Sequence, residues 1–272
     1  MNSGDDPKAN IEKACRLVTK ACEQGAKWIL LPEMFSYMGP YHRLWETSYQ
    51  GADDFPQSLK DICKTYGVHL FAGSVGERTN PPVENPLHHY QKVYNTMFAF
   101  DPSGSCLAKY QKAHLFHLEG GDGQPLYSEA EGFCEGHQLV STDIGGWHIA
   151  FGICYDIRFP EMFYKLSKSR PIDLLIVPAA FTEATGKRHW QLLLQARAVE
   201  LQCFVLAANQ TGFHSKDKEC FGHSMIINPW GEVLENTGKS EGVVCSDVSL
   251  SALKTFRKKL PVLANRRDDL YP

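Results

Sequence analysis

Short apolar runs that stop abruptly constrain this chain more than any other feature. Trp28-Ile29-Leu30-Leu31 ends on Pro32, and Leu174-Leu175-Ile176-Val177 ends on Pro178. Trp147 to Ile153 ends on Cys154, and Val68 to Val75, Tyr94 to Phe100 and Phe204 to Ala208 are runs of the same kind. The runs Trp28 to Leu31, Trp147 to Ile153 and Leu174 to Val177 read as buried strands, and the others, interrupted by residues such as His69, Asn95 and Thr96, read as strands. Helix-like segments lie between them. Asn10 to Gln24 places Ile11, Ala14, Cys15, Val18, Ala21 and Cys22 at helical spacing, after Asp6-Pro7 and before Gly25. Leu59 to Tyr66, stopped by Gly67, then Pro160 to Lys168 and Trp190 to Gln202 read as further helices. Asp101-Pro102-Ser103-Gly104 is a turn into a hairpin partner from Ser105 to Tyr110. Ser224 to Asn228 and Val233 to Glu235 flank a second turn, Asn228-Pro229-Trp230-Gly231. Hairpins together with crossovers predict an α/β fold with mixed sheets. No repeat, low-complexity stretch or linker divides the chain, so residues 1–272 read as one domain.

Composition narrows the function classes. A formal net charge of −3 gives no global attraction to nucleic acid or to an anionic membrane. No run of ~18 apolar residues is present, so no transmembrane helix is expected. Residues 1–10 are polar and carry no signal-peptide pattern. The nine cysteines form no C-x-x-C pair and no zinc-finger spacing with histidine, so no metal is expected. Their odd number in a chain this long predicts a reducing, cytoplasmic setting. Most of them read as small buried hydrophobes.

Cys154 stands apart. It ends a buried strand, and Pro160 opens a helix six residues later. A thiol so placed can be held rigidly and its pKa lowered. Two other places share this character. Leu30-Leu31-Pro32-Glu33 puts a carboxylate just after a strand, where apolar surroundings would raise its pKa toward that of a base. The alternative is an ordinary solvated glutamate. Ala108-Lys109-Tyr110-Gln111-Lys112-Ala113-His114-Leu115-Phe116 puts a lysine among aromatics, where a buried ammonium needs an anion beside it. The alternative is a snorkelling surface lysine. The stretch from Ala113 to Gly136 reads as a long loop, of the kind that serves as a lid.

These three places, in this order, resemble the motifs of the nitrilase superfamily of carbon–nitrogen hydrolases. The matching segments are Leu-Pro-Glu33-Met-Phe, Tyr-Gln-Lys112-Ala-His-Leu-Phe and Gly-Ile-Cys154-Tyr-Asp-Ile-Arg-Phe-Pro-Glu. Thr185 to Trp190, Gln195 to Glu200, Gly222-His223-Ser224 and Asn228 to Gly231 also fit. The ending, Leu260 to Leu263 and Arg266 to Tyr271, looks like the Nit branch, with its omega-amidases and deaminated-glutathione amidases. The resemblance spans nearly the whole chain. It implies an α-β-β-α sandwich with two mixed sheets. It also implies a Glu-Lys-Cys triad: Glu33 as general base, Lys112 as transition-state stabiliser, Cys154 as nucleophile. Glu129, in Tyr127-Ser128-Glu129, matches a second glutamate that positions the site, although Glu119 to Pro125 departs from the branch's usual sequence.

The chemistry implied is thioester hydrolysis of a small amide to acid and ammonia, without metal or organic cofactor. The oxyanion would be met by Lys112 and by a backbone N–H near Tyr155. A Cys–His arrangement using His114, His117, His189 or His223 is the rival, but it leaves Glu33 and Lys112 unexplained. Arg158 admits two readings. It can clamp a substrate carboxylate, or it can pair internally with Glu161 or Asp156. Phe181, Thr182 and Thr185 are expected pocket liners, and His189-Trp190 is expected to order the rim. The leading substrate is an acidic small amide such as 2-oxoglutaramate. Deaminated glutathione, N-carbamoyl amides and nitriles are the alternatives. The resemblance further implies a homodimer or higher homo-oligomer, and no nucleic-acid or membrane partner.

The start departs from the pattern. Relatives open with an apolar strand before a segment like Met1 to Asp5; here Met1 falls where that strand should end, so either the start is set too late, or the sequence is truncated, or the protein lacks the strand. Its loss predicts unpaired ladder groups and exposed apolar side chains beside it. On that ground an unstable, non-catalytic product is the alternative outside the enzymes.

Overall fold

In the computed structural model, which describes residues 1–120, 125–215, 218–267 and 269–270, the apolar runs pair into two six-stranded sheets. The first contains β1 (Trp28–Leu30), β2 (His69–Phe71), β3 (Val75–Glu84), β4 (Gln91–Phe100) and β5 (Cys106–Gln111). After a separate ribbon of β6 (His117–Glu119) and β7 (Pro125–Ser128), the short β8 (Phe133–Cys134) completes it. β4 is the hub: β2 and β3 share one edge, β5 and β8 the other. The second sheet begins with β9 (Ser141–Ile144), β10 (Trp147–Phe151), β11 (Leu174–Ala179) and β12 (Phe204–Asn209). A ribbon of β13 (Thr211–Ser215) and β14 (Lys218–Phe221) follows, then β15 (Met225–Ile227) and β16 (Val233–Asn236). The order is β16-β15-β12-β11-β10-β9, with β10, β11 and β12 mutually parallel and the rest antiparallel.

Strand alternation makes the layers. Leu70, Phe98 and Phe100 pack outward with Ala14, Val18 and Ala21 of α1 (Pro7–Glu23) and with Leu59 and Cys63 of α2 (Gln57–Tyr66). Their neighbours Phe71, Met97 and Ala99 turn inward and join the core of the second sheet. Trp28 meets Trp147, and Phe71 meets Phe151, across that interface. On the far face lie α3 (Pro160–Ser167), α4 (Glu183–Leu201) and α5 (Leu250–Lys259), which bury Phe163, Trp190, Leu194 and Leu253. Asp6 caps α1 by accepting from the N–H groups of Lys8 and Ala9, and Gly67, at φ 63°, ends α2. The result is the expected α-β-β-α sandwich.

Three local expectations change. The run Val68 to Val75 is two strands, not one, because Gly73 turns the chain at φ 50°. Helix α4 starts at Glu183 rather than Trp190. Thr182 caps it, and Gly186 sits where a Cβ would come 2.4 Å from Phe221 Cβ. The expected loop from Ala113 to Gly136 instead carries the β6–β7 ribbon and β8, although its residues 121–124 lie outside the described residues. So do Asp268 and Tyr271 of the tail motif. Residues 1–6 form no strand, and β1 stands at the edge of its sheet. Among the described residues, no helix is long and apolar enough to cross a membrane.

Candidate active site

Glu33 lies where β1 runs out through Pro32. Gly73 permits this path, because a Cβ there would fall 2.0 Å from the Pro32 carbonyl. The next residue, Ser74, accepts the Met34 N–H on Oγ at 3.0 Å and the Phe35 N–H on its carbonyl at 3.2 Å. Thus anchored, Glu33 is 2% exposed. Its Oε1 accepts from Asn95 Nδ2 and Lys112 Nζ, both at 2.8 Å, and its Oε2 from the Ala180 N–H at 2.7 Å. The apolar setting expected from the sequence is therefore a polar cradle. Its donors come from 62, 79 and 147 residues away and are invisible to a local reading.

Lys112 follows β5 and is fully buried. Its Nζ reaches Glu33 Oε1 and both Glu129 oxygens, each at 2.8 Å. Burial alone would push the ammonium down. The carboxylates of Glu129 and Glu33 outweigh it and hold the lysine well above its usual value, so it stays charged. Glu129 also accepts the Phe116 N–H at 2.7 Å. Burial pushes its carboxyl up and Lys112 pulls it back, leaving it raised.

Cys154 sits beside this trio. It begins a one-turn 3₁₀ helix, Cys154–Arg158, with φ at +50°. A non-glycine residue in that region costs on the order of 1–3 kcal/mol, as at other sharp strand-to-helix turns that expose a side chain. The thiol feels Glu33, Lys112 and Glu129, and the Ala180 N–H faces it. Burial pushes its pKa well up and Glu33 adds to this, against Lys112 and the Ala180 N–H. The lowered pKa expected for a strand-end thiol is thus reversed: the resting group is a thiol, with a carboxylate nearby to take its proton.

The family model for carbon–nitrogen hydrolases matches residues 1–258. The chain belongs to this family. It is 35% identical over 266 residues to the omega-amidase NIT2 of Homo sapiens, covering 96% of this chain and 91% of the relative. It is 36% identical over 269 residues to a deaminated glutathione amidase of Synechocystis, covering 98% and 95%. Among solved structures it resembles the C. elegans NitFhit protein, with a TM-score of 0.88 at 31% identity over 100% of this chain and 64% of that one. Saccharomyces cerevisiae Nit3 gives 0.81 at 25% identity, over 98% and 93%. The chain is thus an enzyme, a hydrolase of carbon–nitrogen bonds other than peptide bonds.

In this hydrolase one residue missed by the sequence reading ties the parts together. Asp156, fully buried, accepts from the Ile153 N–H at 2.8 Å and from Tyr110 Oη at 2.7 Å on Oδ2. Its Oδ1 accepts the His114 N–H at 3.0 Å and lies 2.7 Å from His114 Nδ1. Tyr110 and His114 flank Lys112 by two residues, and Ile153 precedes Cys154. One carboxylate therefore fixes the register between lysine and thiol. Asp156→Asn puts a donor where these donors converge. It should cost about 1–3 kcal/mol in urea denaturation, and unchanged stability would show that the network does not hold the turn.

The other residues singled out in the sequence are placed as follows. Tyr155 packs on Phe116 and Phe159, and Phe181 on Trp190. Arg158 lies over the rings of Tyr155 and Phe181, at 5.7 and 5.1 Å, with NH1 3.4 Å from His189 Nδ1. Among the described residues it has no carboxylate partner: Asp156 is engaged elsewhere, and Glu161 forms no ion pair with it. Thr182 caps α4, accepting the Thr185 N–H, and the two hydroxyls lie 2.9 Å apart, so Thr185 belongs to the cap. Trp190 Nε1 donates to the His223 carbonyl. Of the histidines weighed as partners for Cys154, His114 binds Asp156, His189 meets Arg158 and His223 stacks on Phe221.

Proposed function

We propose that this hydrolase cleaves a small amide carrying a carboxylate, of the omega-amidase kind, with 2-oxoglutaramate as the leading candidate. The observation that carries this reading is the Arg158 guanidinium, which has no carboxylate partner among the described residues and is held on aromatic faces four residues beyond Cys154. A guanidinium in such a place favours a planar carboxylate in bidentate contact. The omega-amidase relative supports the same substrate class.

The residues divide the work as follows. Cys154 Sγ attacks the amide carbonyl while Glu33 takes its proton. The oxyanion is met by Lys112 and by the Tyr155 N–H, which lies in the first turn of its helix and so lacks an intrahelical acceptor. Each such donor is worth about 2.7–4 kcal/mol in the transition state. Lys112 has three N–H groups and three carboxylate oxygens around it. Glu129 can pass from two contacts to one, freeing an N–H while the charge stays paired. Glu33 returns the proton to the departing nitrogen, ammonia leaves, and a thioester remains. Glu33 then activates water, which attacks the thioester carbonyl and restores the thiol. All nine cysteines are free, which supports a cytoplasmic setting, and assembly as a homo-oligomer is part of the same reading.

Arg158→Ala should raise KM by roughly 10- to 100-fold for carboxylate-bearing amides, the worth of a charge-assisted contact. Neutral amides should change little. Ammonia release from a panel of amides, N-carbamoyl compounds and nitriles, with Cys154→Ala as control, measures both. Equal effects on charged and neutral amides would overturn the clamp.

A further inference from the structure

Asn95 lies in β4 on the face that Met97 and Ala99 turn toward the second sheet. Val93, Met97 and Ala99, its companions on that face, are apolar and buried. Asn95 is as deep as they are, at 1% exposure, so an amide stands in an apolar stripe. Its Nδ2 donates to Glu33 Oε1 at 2.8 Å. Turned the other way, the amide would set its oxygen against that carboxylate, acceptor against acceptor, so the contact fixes which atom faces Glu33. Its Oδ1 then goes without: among the described residues nothing donates to this buried atom. A buried acceptor without a donor costs stability, and such a group calls for a reason other than packing. Leucine has nearly the same shape, suits the stripe and leaves no orphan. The amide therefore serves Glu33 rather than the core.

A carboxylate offers about four acceptor positions, two on each oxygen. On Glu33 Oε1 both are taken, by Asn95 Nδ2 and Lys112 Nζ at 2.8 Å each. Oε2 holds one donor, the Ala180 N–H at 2.7 Å, and that N–H also faces the Cys154 thiol. The position left open on Glu33 is thus on the oxygen beside the thiol. Lys112 alone would not ensure this. Its ammonium is shared with Glu129 and can turn about its stem, whereas a planar amide holds one geometry. The Asn95 carbonyl also accepts the Lys112 N–H at 2.9 Å, so one residue ties the glutamate to the lysine.

We propose that Asn95 is a positioning residue that makes Glu33 Oε2, rather than Oε1, the oxygen that takes the thiol proton. This rests on the reading of Glu33 as general base. The S–H bond breaks as the Oε2–H bond forms, and the sulfur electron pair bonds to the amide carbonyl carbon, whose π pair moves onto oxygen. Without Asn95 the carboxylate has an open position on the wrong oxygen and one anchor fewer against rotation.

The test compares the parent with Asn95→Leu, which removes the donor and keeps the bulk, and with Asn95→Asp, which puts a charged acceptor in its place. Ammonia release is followed from 2-oxoglutaramate, or from whichever amide of the panel above the parent turns over fastest. Asn95→Leu should lower kcat by about 10²-fold, the usual loss from a misplaced catalytic group. KM should stay within about twofold, because the buried side chain does not reach substrate. The melting temperature should not fall, since the orphaned oxygen goes with the amide. Asn95→Asp should be slower still at pH 7.5, where its charge repels Glu33. At pH 5.5 two such close carboxyls hold a proton between them, and an O–H again fills the Oε1 position. The kcat of Asn95→Asp relative to Asn95→Leu should therefore rise as pH falls. A purely structural role would lower the melting temperature and raise KM, with no such rise. Turnover by Asn95→Leu at the parent's rate would overturn the proposal, and so would an Asp-to-Leu ratio that stays flat with pH. If Asn95→Leu does not fold, Asn95→Asp relative to the parent decides by the same rise. Glu33→Gln, assayed beside them, separates the two readings. If it keeps turnover, Glu33 is not the base and the role of Asn95 falls with it. If it loses turnover while Asn95→Leu keeps it, the role of Asn95 falls alone.

Discussion

Lys112→Ala should cost this protein stability and activity together. The side chain is fully buried and is the one cation between Glu33 and Glu129. Removing one partner of a buried ion pair typically costs about 3–5 kcal/mol, because the charge left behind has neither water nor a counter-ion. Here two carboxylates are left. Turnover should fall by at least about 10²–10³-fold, the usual loss of one oxyanion donor. The pH dependence carries the sign of the cause. Burial raises the Glu129 carboxyl and Lys112 opposes it. Without Lys112 the raising influences of burial and Glu33 are opposed mainly by the Phe116 N–H, so the folded variant holds a proton that the unfolded chain releases. Its stability should therefore increase as pH falls from neutral through that raised value and be lost as pH rises. Denaturation at pH 5.5 and 7.5 beside the parent measures this. A deficit that does not shrink at the lower pH would mean that the carboxylates are not left unpaired.

What could be read from the sequence was whatever sits close together along it. Glu33 and Cys154 each follow an apolar run directly, so strand and reactive group appear in one short window, and Lys112 stands among its aromatics in the same way. The distant partners could not be read. Asn95 and the Ala180 N–H reach Glu33 only because β4 and β11 bring their own segments to the end of β1. Asp156 enters the sequence reading only as a possible partner for Arg158, and its four contacts depend on where Tyr110 and His114 arrive. The start of α4 was hidden for another reason. Gly186 within the first turn reads as a breaker, yet glycine is required there by the approach of Phe221. The thiol pKa went astray at the same boundary. A strand-end cysteine before a helix suggests a stabilised thiolate, but the depth of the site and the nearness of Glu33 are tertiary facts, and they decide the direction.

That reversal gives the second large effect. Glu33→Gln keeps the shape of the side chain and removes its charge and its ability to accept a proton. If Glu33 is the general base, kcat should fall by about 10²–10⁴-fold. The same change should make Cys154 more reactive toward an external electrophile. After burial, Glu33 is the largest influence raising the thiol, while Lys112 and the Ala180 N–H pull it down. Neutralising Glu33 leaves the lowering influences in place and shifts the thiol toward thiolate at a given pH. Alkylation by iodoacetamide, followed by intact mass over pH 6 to 9, should then be faster in the variant than in the parent, with its midpoint moved to lower pH. Turnover and alkylation should move in opposite directions. A general loss of structure would expose the other buried cysteines to alkylation as well and lower the melting temperature, and a glutamate with no electrostatic hold on the thiol leaves the alkylation midpoint where it was. If alkylation slows in parallel with turnover in a variant that melts like the parent, the carboxylate does not raise the thiol, and the resting state assigned to Cys154 is wrong.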